Sequence, residues 1–184
     1  MTQARIVLLN GVGSAGKSTL ARELQKITAS PFLHVQMDAF FDMLPAHLQD
    51  DPATFRFEAL VQDGKPAIAI HSGATGIRLM AGMRRSVAAL ADAGNDLIVD
   101  DVMLGDEMTD YATLLAGQVV YRVGVMTSLD VLEARERQRG DRLIGLARWQ
   151  YDRVHRGRQY DLTVDTGKDS TADCAQQIKA HFHL

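Results

Sequence analysis

The sequence has one cysteine, Cys174, among its 184 residues, and no long run of apolar side chains. A single cysteine excludes an internal disulfide framework and a zinc site made of cysteine ligands. No apolar run approaches the roughly 18 residues that a membrane-spanning helix needs, and the run near the N-terminus is too short for the core of a signal peptide. We therefore expect a cytoplasmic protein with no membrane partner.

A strong excess of charge of one sign is also missing. The chain carries 20 lysine and arginine residues against 23 acidic residues, which gives a net charge of -3 at pH 7. Proteins that mainly bind nucleic acid are usually basic overall, so we expect no nucleic-acid partner. The length and a hydrophobic content of 46% fit one domain, which we place over residues 1–184. These data make no prediction of oligomeric state.

Short apolar runs typical of buried strands alternate with helical patterns along most of the chain. This alternation predicts an α/β fold in three layers, with a five-stranded parallel sheet and helices on both faces. The predicted strands cover residues 5–10, 32–37, 96–101, 119–126 and 160–164, and the predicted helices begin at about residues 18, 75, 130, 142 and 170.

Residues 46–76 interrupt this alternation. Within them, residues 55–72 contain two short alternating runs on either side of Asp63-Gly64, a turn dipeptide that is favoured in β-hairpins. We interpret this segment as a small hairpin or loop inserted over the sheet.

Residues 11–18, with the sequence GVGSAGKS, match the pattern G-x-x-x-x-G-K-[ST] in full. Glycines allow several backbone N–H groups to converge on a phosphate, because side chains there would obstruct its approach. Lys17 reaches the β- and γ-phosphates, Ser18 offers a hard oxygen ligand to Mg²⁺, and the following helix directs its positive end at the anion. The pattern predicts a P-loop for ATP and Mg²⁺ that consists of Gly11, Gly13, Ser14, Ala15, Gly16, Lys17, Ser18 and Thr19.

Two classes of P-loop protein are disfavoured. The chain lacks the Asn-Lys-x-Asp motif by which GTP-binding switches select guanine, and it is shorter than the large ATPase motors. Small kinases remain. They need an acid near the acceptor hydroxyl, an acid near Mg²⁺ and positive charge that closes over the phosphates.

Asp38 is the candidate for the first acid. It lies 21 residues beyond Lys17, at the end of the second predicted strand. Because the carboxyl ends of parallel strands share one edge of a sheet, Asp38 should emerge near the γ-phosphate. A carboxylate there can orient an alcohol and accept its proton as the new O–P bond forms. The competing interpretation of an aspartate at this position is a helix N-cap.

Asp100 and Asp101 are the candidates for the second acid, because they close the third predicted strand after the apolar run 97–99. An acid at such a strand end commonly orders magnesium, usually through water. Adjacent strand residues point to opposite faces, so only one of the two should face the metal, and the sequence does not choose between them.

Arginine is concentrated in residues 135–158, which hold eight of the 15 arginines and no lysine. The planar guanidinium binds phosphate oxygens in pairs, which suits a lid that closes over a triphosphate. Arg135, Arg139 and Arg142 flank Gly140, a possible hinge, and we predict that they form this lid. For the remaining arginines we expect a solvated helical face; they include Arg148, Arg153, Arg156 and Arg158.

Taken together, these motifs resemble the chloramphenicol phosphotransferase-like family of P-loop kinases. A P-loop alone indicates only a superfamily, whereas the Arg-Gly-Asp-Arg stretch at 139–142 and the ending Tyr-Asp…Val-Asp-Thr at 160–166 are far more specific. The similar stretches, in the family's order, are 8–18, 37–38, 43–45, 98–102, 135–136, 139–142, 145–147, 154–155, 160–161 and 164–166.

The resemblance implies a nucleoside-kinase-like fold and transfer of the ATP γ-phosphate to a primary alcohol of chloramphenicol, an inactivation of an antibiotic. It implies that Asp38 is the base, that Lys17 and Ser18 serve phosphate and Mg²⁺, and that Arg135, Arg139 and Arg142 form the lid. By analogy with related kinases, we place the adenine pocket at Arg135 and the turn after Thr166. Residues 46–76 match the family poorly and should help to form the acceptor pocket, which leaves the acceptor open.

Three functions remain in competition at this point. The first is the chloramphenicol-type kinase, and the second is the same chemistry on another hydroxylated small molecule, such as a nucleotide-sugar in the manner of zeta-type toxins or a metabolite. The third is a regulatory module in which ATP only orders the lid. We expect either core packing or an apolar acceptor pocket from Phe40, Phe41, Met43, Met80, Met83, Met103 and Met108.

Overall fold

A computed structural model of the protein describes residues 3–140 and 143–184. Seven strands and seven α-helices follow one another in these residues, with one short 3₁₀ helix, Ala46–Leu48, between α2 and β3. In chain order they are β1 (Arg5–Asn10), α1 (Lys17–Ile27), β2 (Phe32–Gln36), α2 (Met37–Phe41), β3 (Phe55–Gln62), β4 (Lys65–Ser72), α3 (Ala74–Asp92), β5 (Asp96–Asp101), α4 (Glu107–Leu114), β6 (Val119–Met126), α5 (Leu129–Arg139), α6 (Leu146–Val154), β7 (Leu162–Asp165) and α7 (Thr171–Phe182).

Five of the strands form the predicted parallel sheet, in the order β2-β5-β1-β6-β7. The register pairs Gln36 with Asp100 and Asn10 with Asp101, so the carboxyl ends of the three adjacent strands finish at one edge. The chain order reverses on either side of β1, and ligands of open α/β sheets bind outside the strand ends at such a point.

Apolar side chains cover both faces of the sheet, as a buried parallel sheet requires. Val7 and Leu9 of β1 pack in a cluster with residues of α1, α6 and α7, including Leu20, Leu24, Val154 and Ile178. Ile6 and Leu8, one residue out of phase, pack on the other face in a cluster with residues of α3 and α4, including Met83, Val87 and Tyr111. The alternation along β1 therefore builds a three-layer core, which confirms the predicted fold class.

The predicted hairpin is present as β3 and β4, an antiparallel pair outside the main sheet. Asp63 and Gly64 form its turn with φ angles of 52° and 73°, the left-handed pair that an Asp-Gly hairpin turn adopts. The base of the hairpin packs on α6, because Ile68 donates its backbone N–H to the carbonyl oxygen of Gly145 over 3.1 Å.

Three local predictions were wrong. The second strand ends at Gln36, so Asp38 belongs to the short helix α2 and not to a strand end. The helix predicted from residue 142 begins at Leu146, after Gly145 with φ 101°. Helix α4 was not predicted at all, because its residues show only weak amphipathic periodicity.

Among the described residues, no helix combines the length and the apolar character that crossing a bilayer requires.

Candidate functional site

The loop between β1 and α1 has the backbone of a phosphate cradle. Ser14 and Gly16 have φ angles of 66° and 85°, which curl residues 11–16 back on themselves before α1 begins at Lys17. A Cβ atom on Gly11 would lie 2.7 Å from the carbonyl oxygen of Val125, so only glycine fits there. The first N–H groups of α1 and its positive dipole end lie at this loop, where they favour an anion.

Lys17 is held inside this loop. Its Nζ donates to the carbonyl oxygens of Gly11 and Val12 over 2.9 and 3.1 Å and lies 3.8 Å from Oδ1 of Asp100. The residue is only 6% exposed. An ammonium group buried in this way is already oriented toward the loop and toward one carboxylate, as phosphate binding requires.

Asp100, and not Asp101, joins the P-loop. The hydroxyl of Ser18 donates to Oδ2 of Asp100 over 2.5 Å. Burial opposes ionisation of Asp100, but its contacts with His34, Lys17 and Ser18 outweigh this penalty and lower its pKa below the ordinary value. A buried carboxylate that stays ionised beside a serine hydroxyl is a suitable oxygen donor set for Mg²⁺.

Asp101 turns toward the layer of α4. Its carboxylate accepts hydrogen bonds from the Tyr111 hydroxyl over 3.1 Å and from its neighbour's amide, Val102, over 2.7 Å. Burial raises the pKa of Asp101, because the hydrogen bonds from Val102 and Tyr111 and the charge of Arg84 do not compensate the lost hydration. The two adjacent acids therefore differ in surroundings, as the alternation of a strand demands, and Asp101 is a structural partner of α4.

His34 of β2 lies beside the Asp100 carboxylate. Its Nε2 is buried without a hydrogen-bond partner among the described residues and lies 3.6 Å from Oδ2 of Asp100.

A cavity of about 490 Å³ opens above the cradle and is lined by several of the predicted residues. Asp38 lines it from the first turn of α2, and Gln36 is the residue that precedes this helix, so the N-cap interpretation of Asp38 was wrong. Arg139 lines the same cavity from the end of α5. Of the predicted P-loop set, the cavity-lining members are Gly13, Ser14, Gly16, Lys17, Ser18 and Thr19, whereas Gly11 and Ala15 lie beneath the cavity surface.

The far wall of the cavity is apolar and comes largely from the hairpin. The ring of Phe41 lies 5.5 Å from that of Phe55 and 6.4 Å from that of Phe57, measured between centroids. Ile70 and Met80 complete this wall. Sequence reasoning missed the hairpin members, although the spacing of Phe55 and Phe57, two residues apart on one strand face, was the signal that could have found them.

The predicted apolar acceptor set divides in the structure. Phe41 and Met80 line the cavity, whereas Met83 and Met103 are fully buried in the core. Phe40 and Met108 also pack against that core, and Met43 is 65% exposed.

The other two predicted lid arginines have different outcomes. Arg135 donates to the carbonyl oxygen of Thr166 over 2.7 Å and contacts the carbonyl oxygen of Ser14 at 3.5 Å, so it joins the P-loop to the turn after β7 and does not line the cavity. Arg142 lies outside the described residues.

Three of the arginines expected on a solvated face are engaged by neighbours, so for these the expectation was wrong. Arg148 is 6% exposed and forms an ion pair with Glu133. Arg153 stacks over the Trp149 ring at 4.7 Å. Arg158 donates to the carbonyl oxygens of Met103 and Gly105.

A buried polar network that the sequence did not reveal ties the strands beneath the cradle together. The side chain of Asn10 donates to the carbonyl oxygen of Val154 over 3.0 Å and to the hydroxyl of Tyr160 over 2.8 Å, and it accepts the amide of Met103 over 2.9 Å. The Tyr160 hydroxyl also contacts Nδ1 of His155 at 2.7 Å. This network explains why tyrosine and histidine stand at those positions.

Gln150 is the other residue that sequence reasoning missed. It is 3% exposed, lines the cavity from α6, and accepts the backbone N–H of Gly13 on its Oε1 over 2.8 Å. A lone glutamine in an Arg-rich helix carries no sequence signal for such a role.

The oxygen ligands at the cradle fit Mg²⁺. Ser18 and Asp100 supply hard oxygen atoms, and within residues 3–140 and 143–184 no cluster of three or more histidine, cysteine, aspartate or glutamate residues forms a cage for a metal. This matches the way Mg²⁺ is usually held, by one or two protein oxygens together with phosphates and water.

The fold is shared with several solved structures, two of which are kinases by name. APS kinase of Mycobacterium tuberculosis, solved with AMPPNP and APS, has 16% identity and a TM-score of 0.65, with full coverage of both chains. A gluconokinase of Sinorhizobium meliloti also has 16% identity and a TM-score of 0.65, with 98% of this chain and 92% of that one covered. The tunicamycin resistance protein of Deinococcus radiodurans has 18% identity and a TM-score of 0.65, with coverage of 99% and 97%.

Similarity in sequence is more specific. A protein of Mycobacterium tuberculosis strain H37Rv, named as a proposed O-phosphotransferase, is 30% identical over 188 residues, which cover 99% of this chain and 84% of the relative. Residues 4–183 match the family described as chloramphenicol phosphotransferase-like protein. Since this match spans nearly the whole length, the chain belongs to the chloramphenicol phosphotransferase-like family, whose P-loop phosphotransferase character it shares.

Proposed function

We propose that the protein transfers the γ-phosphate of ATP to a hydroxyl group of a small molecule with an aromatic or apolar body. The observation that carries this proposal is one cavity in which Lys17, Ser18 and Asp38 face a wall of aromatic rings. Membership of the family and the name of the mycobacterial relative support phosphoryl transfer to oxygen.

The cradle and three charged residues that line the cavity have separate roles in this reaction. The backbone N–H groups of the cradle and Lys17 hold the β- and γ-phosphates of ATP. Asp38 accepts the proton of the acceptor hydroxyl while its oxygen bonds to the γ-phosphorus, and the bond from that phosphorus to the β-γ bridging oxygen breaks to release ADP. Arg139 lies where it can neutralise charge on the transferred group.

Magnesium would be held by Ser18 and, directly or through water, by Asp100. When bound, it neutralises charge on the β- and γ-phosphates. The protein's own contribution is to keep the Asp100 carboxylate ionised and oriented by the Ser18 hydroxyl.

The aromatic wall of the cavity indicates which kind of acceptor fits best. Rings at Phe41, Phe55 and Phe57 bind an aromatic or apolar body by edge and face contacts, and Asp38 meets its hydroxyl. Chloramphenicol combines these features, as the family resemblance implies. A nucleotide-sugar would bring a charged diphosphate to this apolar wall, where Phe41, Phe55 and Phe57 offer no charge, although Arg84 also lines the cavity.

An acceptor panel with ATP consumption as the readout tests the proposal. The panel contains chloramphenicol, a nucleotide-sugar and a set of sugars, and we expect turnover with a hydroxylated aromatic compound. Asp38→Asn should lower turnover by about 10²-fold or more, because Asn cannot accept the proton, while the affinity for ATP is retained.

Asp42→Asn is the matched control, since Asp42 is an exposed acid just after the same short helix. It should leave turnover unchanged. Full activity of Asp38→Asn would show that this carboxylate is not the base. ATP binding without consumption for any acceptor would favour the regulatory module instead.

A further inference from the structure

The side chain of Gln150 extends from helix α6 to the phosphate cradle, the loop of residues 11–16 between β1 and α1. Its Oε1 accepts the backbone N–H of Gly13, the third residue of the loop, over 2.8 Å. A Cβ atom on Gly13 would lie 3.2 Å from the same oxygen, so the two groups are in close contact. The side chain enters from α6, the helix that follows the Arg-rich segment.

The hydrogen bond to Gly13 determines the orientation of the Gln150 carboxamide. Only the carbonyl oxygen of an amide can accept an N–H, so the amide nitrogen occupies the other position. That nitrogen makes no hydrogen bond to any residue within 3–140 and 143–184, although the residue is 3% exposed and lines the cavity. Within the part of the chain that the structure describes, this amide nitrogen therefore has no protein partner, and its two N–H donors remain available to a ligand in the cavity.

The supports of α6 keep this side chain in place. The backbone amides of Gly145 and Ala147, at the start of the helix, donate to the buried Glu136 carboxylate over 3.1 and 2.6 Å. Arg148, the next residue of the same first turn, forms its ion pair with Glu133 of the same neighbouring helix. A donor that is prepositioned on a rigid helix loses little entropy when it binds.

We propose that the Gln150 amide donates a hydrogen bond to the terminal phosphoryl group of ATP and thereby distinguishes ATP from ADP. The inference rests on the proposed phosphotransferase function, because it assumes that ATP occupies the cradle. Lys17, Asp38 and Gln150 line one cavity. The N–H donors of Gln150 are uncharged, so they do not compete with the Lys17 ammonium group for the Asp100 carboxylate.

Binding of two nucleotides, measured by calorimetry with Mg²⁺ and no acceptor, tests this assignment. Gln150→Glu keeps an oxygen for the Gly13 N–H but replaces the donor with negative charge. It should weaken AMPPNP binding by about tenfold or more, the scale of a hydrogen bond to a charged group, and ADP binding by about twofold or less. Gln176→Glu makes the same charge change on the exposed face of α7 and should alter neither affinity.

Gln150→Met is the second variant, because it has similar length and neither donor nor acceptor, and thermal unfolding checks that both variants fold. Gln150→Met should also lose AMPPNP affinity selectively. Equal losses for AMPPNP and ADP would show that Gln150 only props the loop, and no loss for either nucleotide would also overturn the proposal. The binding measurement involves neither an acceptor nor turnover. Its result can therefore be interpreted even if Asp38 proves not to be the base.

Discussion

Asp161 shows how a single side chain joins β7, the strand at one edge of the sheet, to its neighbour β6. Its carboxylate accepts the backbone N–H of Arg122 over 2.7 Å and two guanidinium hydrogen bonds, at 3.1 and 2.7 Å. The hydrogen bonds from Arg122 lower the pKa of Asp161 below its ordinary value. Because Asp161 directly precedes β7, this pair sets the position of the last strand against β6.

The pH dependence of Asp161→Asn tests this role. Since the folded-state pKa of Asp161 is lowered, its stabilising effect is full above the ordinary carboxyl pKa of 3.8 and is lost as the pH falls through the lowered value. We expect Asn to reduce the free energy of unfolding by about 1 kcal/mol at pH 7, a value limited by solvent screening, and by less at pH 3. Chemical denaturation at both pH values measures this loss in the free energy of unfolding.

Asp92→Asn is the control for this prediction, because the exposed Asp92 carboxylate accepts a hydrogen bond from the neutral side chain of Gln118 and pairs with no arginine or lysine among the described residues. An equal loss for Asp161→Asn at both pH values would contradict the electrostatic account.

At the scale of elements, Gly145 joins the hairpin to α6. Its carbonyl oxygen accepts the N–H of Ile68, and a Cβ atom on it would lie 2.8 Å from both the Cα of Ala67 and the carbonyl oxygen of Pro66. The aromatic wall and the helix that carries Gln150 therefore meet at one glycine. A shift of the hairpin would therefore move the aromatic wall relative to the cradle side of the cavity.

Gly145→Ala should destabilise the protein more than a change of backbone preference alone explains. The φ of 101° is unfavourable for alanine by about 1–2 kcal/mol, and overpacking against β4 adds about 1–3 kcal/mol. Gly157→Ala has a φ of 68° with nothing within 4 Å and isolates the first contribution. Urea unfolding of both variants measures the difference, and equal losses would show that the hairpin moves away at no cost.

At the scale of the whole molecule, nucleotide binding should stabilise the fold, because the cradle lies at the end of the central strand between both halves of the core. A ligand that binds only the folded state at 100 times its Kd adds about 2.7 kcal/mol to the free energy of unfolding. We expect Mg²⁺ with AMPPNP to raise the Tm.

Removal of Mg²⁺ or of the Lys17 side chain should reduce the rise in Tm that AMPPNP produces. EDTA should lower the shift with AMPPNP, and Lys17→Met should lower it further, since the Nζ atom that faces the cradle is lost. Lys168→Met serves as the control, because Lys168 pairs at the surface with Asp165. An equal shift in the Lys17 and Lys168 variants would contradict the assignment of the cradle.

Parallel strands and the phosphate loop could be predicted because both depend on local patterns. Buried strands have continuous apolar runs, and the loop has glycines where a backbone must approach a phosphate. Helix α4 escaped prediction because Tyr111 is its only fully buried residue, so its apolar periodicity is weak. The second strand was one residue too long because α2 follows Gln36 directly, and no glycine or proline marks the boundary.

The amino-acid sequence by itself predicted the parallel strands, the hairpin and the phosphate cradle and named the candidate acid Asp38, because periodicity and glycine spacing act over a few neighbours. Tertiary structure alone decided which of two adjacent aspartates meets Ser18, where the aromatic wall stands and that Gln150 reaches Gly13. Those contacts join residues far apart in the chain, up to 137 positions for Gln150, and only packing brings such partners together.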